Sequence, residues 1–496
     1  MAATEHRARD RRAPALMGAT MNVAELSDAQ ELRAAGRHPP LPFRVHLADG
    51  RQLCMRRLLR VLPGKRLVGE AEFDGRRVLA KLFVGRRSRK HWRQELGGLE
   101  ALRAAAVPTP EMVVAMAMAG GGYALLTVFL DPAESLAESW ARVAGLPAGD
   151  GEALAVLAPA LSMLRRLHSA GLVQDDLHLG NFLRHDGRLL VIDGDAVRVL
   201  SRGQALAPAQ ACANLAVLLA QLPPAWDAQL EVLLPAYGAG RQTPEHNLLR
   251  QHIARVRAWR VGDFLAKTVR ECTLFAVEHT ATRFTAVRRP DAAQLASLLV
   301  APDEAIRHGR VLKDGGTCTV ARSAVNERQL VIKRYNLKGL RHALGRLWRP
   351  SRAWHSWRAA HRLLFFGIPT PAPLALIEER IGPLRRRAWL VSEYCPGPNL
   401  LNHLPADRAP AGEVARALCS LFESLCQQRI SHGDLKATNL PWDGERVLLI
   451  DLDTVVQHRS AAAHARAWRR DRARLLRNWP PGCGLQRWLD EHLPAA

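Results

Sequence analysis

Residues 431–453 read SHGDLKATNLPWDGERVLLIDLD. Asp434 is followed five positions later by an amide, Asn439, and an apolar run at 447–450 ends on a second carboxylate, Asp451. This order predicts a short polar loop, then a hairpin strand with Asp451 at its end. Residues 172–195 read LVQDDLHLGNFLRHDGRLLVIDGD and place Asp176, Asn181 and Asp193 in the same way. The step from Asp to Asn is five in both stretches, the step from Asp to Asp is 17 (193 − 176 and 451 − 434), and one offset, 258, relates all three positions. A polar turn between helix and strand accounts for one such stretch. Two turns that keep the same three polar residues at one spacing do not arise independently.

The layout is that of a kinase catalytic loop followed by a metal-binding segment. Phosphoryl transfer needs an Asp to orient the attacking hydroxyl and accept its proton. It also needs an Asn and a second Asp whose oxygens hold Mg²⁺ against the phosphates of ATP. The flanking sequence repeats as well. Lys81, in VLAKLF, ends the last of several short β-type segments between 43 and 84, whose Asp-Gly pairs at 49–50 and 74–75 suit hairpin turns. A helical pattern at 91–105 carries Glu95, with Glu100 the alternative, as the carboxylate for a strand-Lys to helix-Glu ion pair. Lys333, in VIKR, follows Lys81 by 252 positions, and 368–371 (IPTP) follows 107–110 (VPTP) by 261. Apolar strands at 123–130 and 389–394 occupy the place of a hinge over adenine. A G-x-G-x-x-G loop is absent, although 63–66 (PGKR) lies where one would stand.

These correspondences predict an α+β protein of two tandem kinase-like domains, each a small β-rich lobe and a helical lobe. The expected division is a flexible basic leader at 1–40, a first domain at 41–299 that is mostly helical after Asp195, and a second domain at 300–496. One element is not repeated: between Glu327 and Glu378 there is no Asp or Glu, so the second half offers no helix carboxylate for Lys333. That stretch instead interleaves Lys338, Arg341, Arg346, Arg349, Arg352, Arg358 and Arg362 with Trp348, Trp354 and Trp357. It reads either as a solvated helix face with inward tryptophans or as a cationic surface for headgroups or sugar phosphates.

At 496 residues, with 48% hydrophobic and 24% charged residues, the composition is that of a globular protein of two or three domains. The balance of 70 Lys and Arg against 47 Asp and Glu, a net +23, points to an anionic partner. No nucleic-acid-binding motif accompanies it, so nucleic acid is not expected. Eight scattered cysteines without a C-x-x-C pair suggest reduced thiols and a cytosolic setting, and no apolar stretch is long enough to span a membrane.

The motifs SHGDLKATNL and LLIDLD, with GIPTPAPLAL before them and RDRARLLRNW after, resemble the bacterial lipopolysaccharide kinase family, the heptose and Kdo kinases of the core oligosaccharide. The first half resembles it more loosely, through LAKLF, WRQEL, VPTP and QDDLHLGNFL. The resemblance implies a protein-kinase-like fold and ATP- and Mg²⁺-dependent phosphorylation of a core sugar hydroxyl. The partner would be the anionic lipopolysaccharide core or its precursor, at the cytoplasmic face of the inner membrane, with peripheral membrane contact. By position, it implies Asp434 and Asp176 as catalytic bases. Asn439, Asp451, Asn181 and Asp193 would lie on metal, Lys333 and Lys81 on ATP, and Glu95 would orient Lys81. The pattern departs at Gln174-Asp175, which stand where His432-Gly433 stand in the second half. Two other readings remain open: a pseudokinase or regulatory scaffold in lipopolysaccharide assembly, and a kinase for another small acceptor.

Overall fold

The computed structural model describes residues 24–26, 28–238, 245–336, 350–382 and 384–495. It is a mixed α+β protein that divides into two compact units, one of residues 1–218 and 230–249, the other of residues 219–229 and 250–496. Each is built around a seven-stranded sheet.

In the first unit the strands run, in sheet order, Ala24–Glu25, Phe43–His46, Gln52–Leu62, Arg66–Phe73, Arg76–Phe83, Tyr123–Val128 and Met112–Ala117. Successive side chains of a strand point to opposite faces. Val78, Ala80 and Leu82 therefore enter a core with Phe43, Leu53, Met55 and Phe73. Lys81 is left on the other face, opposite Val68 on one neighbour and Leu125 on the next. The helix Ser88–Ala104 follows. It lies so close to the segment after Asp193 that a Cβ on Gly98 would sit 1.8 Å from the Gly194 carbonyl oxygen. Only glycine permits that approach, which brings Glu95 over Lys81. The helices Leu136–Val143, Gly151–Ser169 and Leu230–Gly238 build the helical part.

The second unit orders its strands Phe275–His279, Arg283–Arg288, Pro373–Ile381, Leu384–Glu393, Arg328–Tyr335, Cys318–Val325 and Arg310–Gly315. Leu330 and Ile332 are buried on one face, and Lys333 lies on the other, opposite Val320 and Leu390. The helices Arg352–Phe365, Gly412–Gln427, Ala461–Leu476 and Gly484–His492 contribute to this unit's apolar cores, through residues such as Leu363, Leu418, Phe422, Trp468 and Leu489.

The expected boundaries shift in two places. The span read as a leader contains regular structure: Ala24–Glu25 pairs in parallel with Phe43–Arg44, and Asp28 caps the helix Ala29–Ala34 by accepting from Gln30 and Glu31 at 2.7 Å. A two-residue strand and a helix this short give little periodicity to read. The boundary expected at 299/300 falls within the second unit, because the hairpin Phe275–His279 and Arg283–Arg288 pairs with Pro373–Ile381 in its sheet. Its turn, Thr280-Ala281-Thr282, has no Gly, Asn or Asp signal. The Thr280 hydroxyl closes it instead, accepting from the N–H groups of Thr282 at 3.3 Å and Arg283 at 3.0 Å. The stretch 259–275, unassigned from sequence, finishes the helix His246–Lys267 and leads into the first of these strands.

Of the basic, tryptophan-bearing stretch, Lys338, Arg341, Arg346, Trp348 and Arg349 lie outside the described residues. The rest form the helix Arg352–Phe365 and favour the inward reading. Trp357 is fully buried against Phe275 and donates from its indole N–H to the Thr268 carbonyl at 3.2 Å. Among the described residues, no helix is long and apolar enough to cross a membrane.

Candidate active site

The two polar loops fold alike. In the first unit the Asn181 amide donates to the Asp176 carbonyl at 2.8 Å, and the Asn181 carbonyl accepts from Ile192 N–H at 2.9 Å. In the second, Asn439 donates to the Asp434 carbonyl at 3.0 Å and accepts from Ile450 N–H at 3.1 Å. Each Asn thus ties the first Asp of its loop to the residue before the second Asp, which is why the steps of five and 17 recur. Asp193, which follows the strand Arg188–Val191, and Asp451, which follows a stretch with only the isolated bridge of Trp442 to Val447 in place of the expected hairpin strand, both sit on left-handed backbone, with φ 70° and 60°. Asp tolerates that region better than most residues. The proline turns brace the chain just before each of these carboxylates: Pro108 accepts from Val191 N–H at 2.8 Å, and Pro369 from Leu449 N–H at 3.0 Å.

Lys81 Nζ lies 2.5 Å from Glu95 Oε1 and 2.9 Å from Asp193 Oδ1. Glu95, rather than the exposed Glu100, is the helix carboxylate, and its Oε1 also accepts from Gly194 N–H at 3.1 Å. Burial would lower the Lys81 ammonium, but Glu95 and Asp193 outweigh it and hold the group above its usual range. Burial would likewise raise Asp193, and Lys81 holds it below its ordinary value. Glu95, with a side chain 1% exposed, is pushed up by burial. Removing one member of a buried ion pair leaves its partner uncompensated, so Glu95→Ala is expected to destabilise the first unit by about 3 kcal/mol. Denaturant unfolding followed by hydrogen exchange at amides of that unit measures it.

The second unit lacks the helix carboxylate, as expected, and places Lys333 by other means. Lys333 Nζ lies 2.5 Å from Asp451 Oδ1 and 3.0 Å from both oxygens of Asp453. Lys333, Asn439 and Asp451 line one cavity of about 670 Å³ together with Val320, Leu390 and Tyr394. Asn439 uses its N–H₂ on the Asp434 carbonyl, and Asp451 uses Oδ1 on Lys333. The amide oxygen of the one and Oδ2 of the other remain as hard donors, the set that suits Mg²⁺.

The first carboxylates of the two loops, Asp434 and Asp176, differ. Asp434 Oδ2 accepts from Lys436 at 3.0 Å, and Oδ1 accepts from Arg474 on the helix Ala461–Leu476. Burial alone would raise the Asp434 carboxyl, but Lys436 and Arg474 outweigh it and hold it below its ordinary value. Asp471, on the same helix, is buried and accepts from the N–H groups of His432 at 2.6 Å and Gly433 at 3.0 Å, fixing the loop from below. His432 in turn binds the Ile450 carbonyl at 2.9 Å. Asp176 is exposed, and its carboxylate makes no ion pair among the described residues. In that unit Gln174 takes the place of His432. It donates to the Ile192 and Asp193 carbonyls at 3.2 Å and is held by Asn214, which donates to its carbonyl at 2.8 Å.

Sequence reasoning missed Asp453, Asp471 and Arg474. Asp453 stood in plain view as the second carboxylate of IDLD. Asp471 is the lone acidic residue of a strongly basic helix, and that isolation was its signal. Arg474 carried none, because the helix holds several arginines.

Residues 306–488, all within the second unit, match the sequence model of the lipopolysaccharide kinase (Kdo/WaaP) family. No curated protein matches the chain. Among solved structures, WaaP in complex with acyl carrier protein is similar at 24% identity, over 42% of this chain and 86% of that one, with a TM-score of 0.30. The structure of vaccinia related kinase 3 is similar at 10% identity, over 47% of this chain and 95% of that one, with a TM-score of 0.29.

Proposed function

We propose that the chain is a kinase of two tandem kinase-like units that transfers the γ-phosphoryl group of ATP to a heptose or Kdo hydroxyl of lipopolysaccharide core. We assign the transfer to the second unit. The observation that carries this reading is the convergence of Lys333, Asn439 and Asp451 on one cavity, in the part of the chain that matches the lipopolysaccharide kinase family. Lys333 would bind the ATP phosphates, and the oxygens of Asn439 and Asp451 would hold Mg²⁺. A Mg²⁺ held there would neutralise charge on the phosphates. Asp434 orients the acceptor hydroxyl and takes its proton. The acceptor oxygen forms the new bond to phosphorus as the bond to the ADP oxygen breaks.

The first unit keeps Lys81, Glu95, Asn181 and Asp193 and is assigned nucleotide binding. Its Asp176 lacks the flanking cations that Asp434 has. The net charge of +23 suits an acceptor bearing phosphates and carboxylates, met at the cytoplasmic face of the inner membrane. An acceptor panel tests the substrate class: dephosphorylated lipopolysaccharide core should accept label from γ-labelled ATP, and aminoglycosides and lipid quinones should not. Transfer to either of the latter alone would replace this acceptor with another.

The flanking cations set a pH dependence. A carboxylate whose folded pKa is depressed contributes stability above its unfolded value and loses it as pH falls through the folded one. The part of the acid limb of kcat/KM that Asp434 contributes should lie below the ordinary Asp value of 3.8, because its carboxylate stays ionised to lower pH. Arg474→Ala removes one depressing charge and is expected to move that limb to higher pH, measured as a rate profile against wild type.

A further inference from the structure

The two sheets hold their strand lysines in matching registers, which makes their surroundings directly comparable. Arg66 lies opposite Phe83 where Val68 lies opposite Lys81, and Cys318 lies opposite Tyr335 where Val320 lies opposite Lys333. The offset of 261 that relates the proline turns also relates Glu95 to Ser356 (356 − 95) and His91 to Arg352 (352 − 91). In the first unit Glu95 and Asp193 hold Lys81, while Asp195 is drawn to Arg66 at 3.1 Å. In the second unit that arginine is replaced by the buried Cys318 and the glutamate by Ser356. Asp453, the counterpart of Asp195, turns to Lys333 instead.

The substitutions around Asp453 act together. Its side chain is 5% exposed, and it accepts from Tyr335 Oη at 2.6 Å, Ser356 Oγ at 2.7 Å and Arg352 Nη2 at 2.5 Å as well as from Lys333. The first unit has Phe83, Glu95 and His91 at those three positions, and none of them donates a hydrogen bond to Asp195; the Glu95 and Asp195 carboxylates lie within 4.8 Å of one another and share Arg66. Asp451 is different in kind. It is 36% exposed and lines the cavity, so it is the carboxylate available to a metal. Once Asp451 turns to a metal, Lys333 needs another fixed anion to stay in place. A buried carboxylate with three donors of its own supplies that.

We propose that Asp453 is the positioning residue for Lys333, doing in the second unit what Glu95 does for Lys81, so that this unit binds nucleotide without a helix glutamate. This rests on the nucleotide-binding reading of the cavity. The test uses the full chain and an acyl phosphate of ATP, which acylates lysines beside the bound phosphates. Peptide mass spectrometry then reports Lys81 and Lys333 separately, and competition with Mg-ATP gives a half-protection concentration at each.

For Asp453→Asn, half-protection at Lys333 should need about tenfold more Mg-ATP, or beyond, with Lys81 unchanged. Adding Ser356→Glu to that variant should restore most of the protection, because the new carboxylate enters from the helix position that Glu95 uses. Unchanged protection at Lys333 in Asp453→Asn overturns the proposal. So does a loss that Ser356→Glu leaves unrepaired, since that marks Asp453 as a packing residue only. If Mg-ATP fails to protect Lys333 in the wild-type chain, the nucleotide-binding reading itself fails, and this proposal with it.

Discussion

Asp434→Ala is expected to lower phosphoryl transfer by about 10²- to 10⁴-fold, the range for loss of a positioned general base, while Mg-ATP affinity stays as in wild type. The separation follows from how the loop is held. Asn439 binds the carbonyl of Asp434, not its carboxylate, and Asp471 binds the N–H groups of His432 and Gly433. Alanine keeps all of these. What it removes is the proposed acceptor of the hydroxyl proton and the anchor for Lys436 and Arg474. Initial rates and calorimetry of nucleotide binding, run on one preparation, read both quantities. Asp176→Ala should change the rate by less than about tenfold on the same scale, because transfer is assigned to the other unit. Equal losses in both variants would place turnover in both units.

The second large effect belongs to Asp451→Asn. The position has φ 60°, a region where Asn is as much at home as Asp, so the backbone is retained and only the charge is lost. That charge pairs with Lys333 and is one of two oxygen donors assigned to Mg²⁺. Transfer is expected to fall about 10²- to 10³-fold, as when one preorganised electrostatic contact is removed from a transition state. The Mg²⁺ concentration for half-maximal rate should rise in parallel. A metal titration at fixed ATP checks this, and an unchanged Mg²⁺ requirement would remove Asp451 from the metal.

Much of the site was legible because its spacing is imposed by bonds. The five-residue step exists so that an Asn amide can reach the carbonyl of its Asp. The 17-residue step covers that loop and the connection that returns the chain to the Asn carbonyl, through Ile192 N–H in one unit and Ile450 N–H in the other. Lys81 and Glu95 were readable for a similar reason, one fixed by strand alternation and the other by helical periodicity. Local pattern gave out where contacts replace it. The hairpin at 275–288 turns on a Thr hydroxyl rather than on glycine, so nothing in its sequence announced a strand pair, and the boundary expected at 299/300 fell too late. The missing helix carboxylate was seen, but its replacement was not. Asp453 reaches Lys333 in a setting where Cys318 stands in place of Arg66 and Ser356 in place of Glu95, a relation visible once strand register aligns the two sheets.

The most direct test of the kinase reading is transfer of labelled γ-phosphate from Mg-ATP to purified, dephosphorylated lipopolysaccharide core by the wild-type chain, with the phosphorylated sugar identified by mass spectrometry. The account predicts one new phosphoryl group on a heptose or Kdo hydroxyl, dependent on Mg²⁺ and lost in Asp434→Ala. An unmodified core, together with no binding of Mg-ATP to the chain, would contradict it.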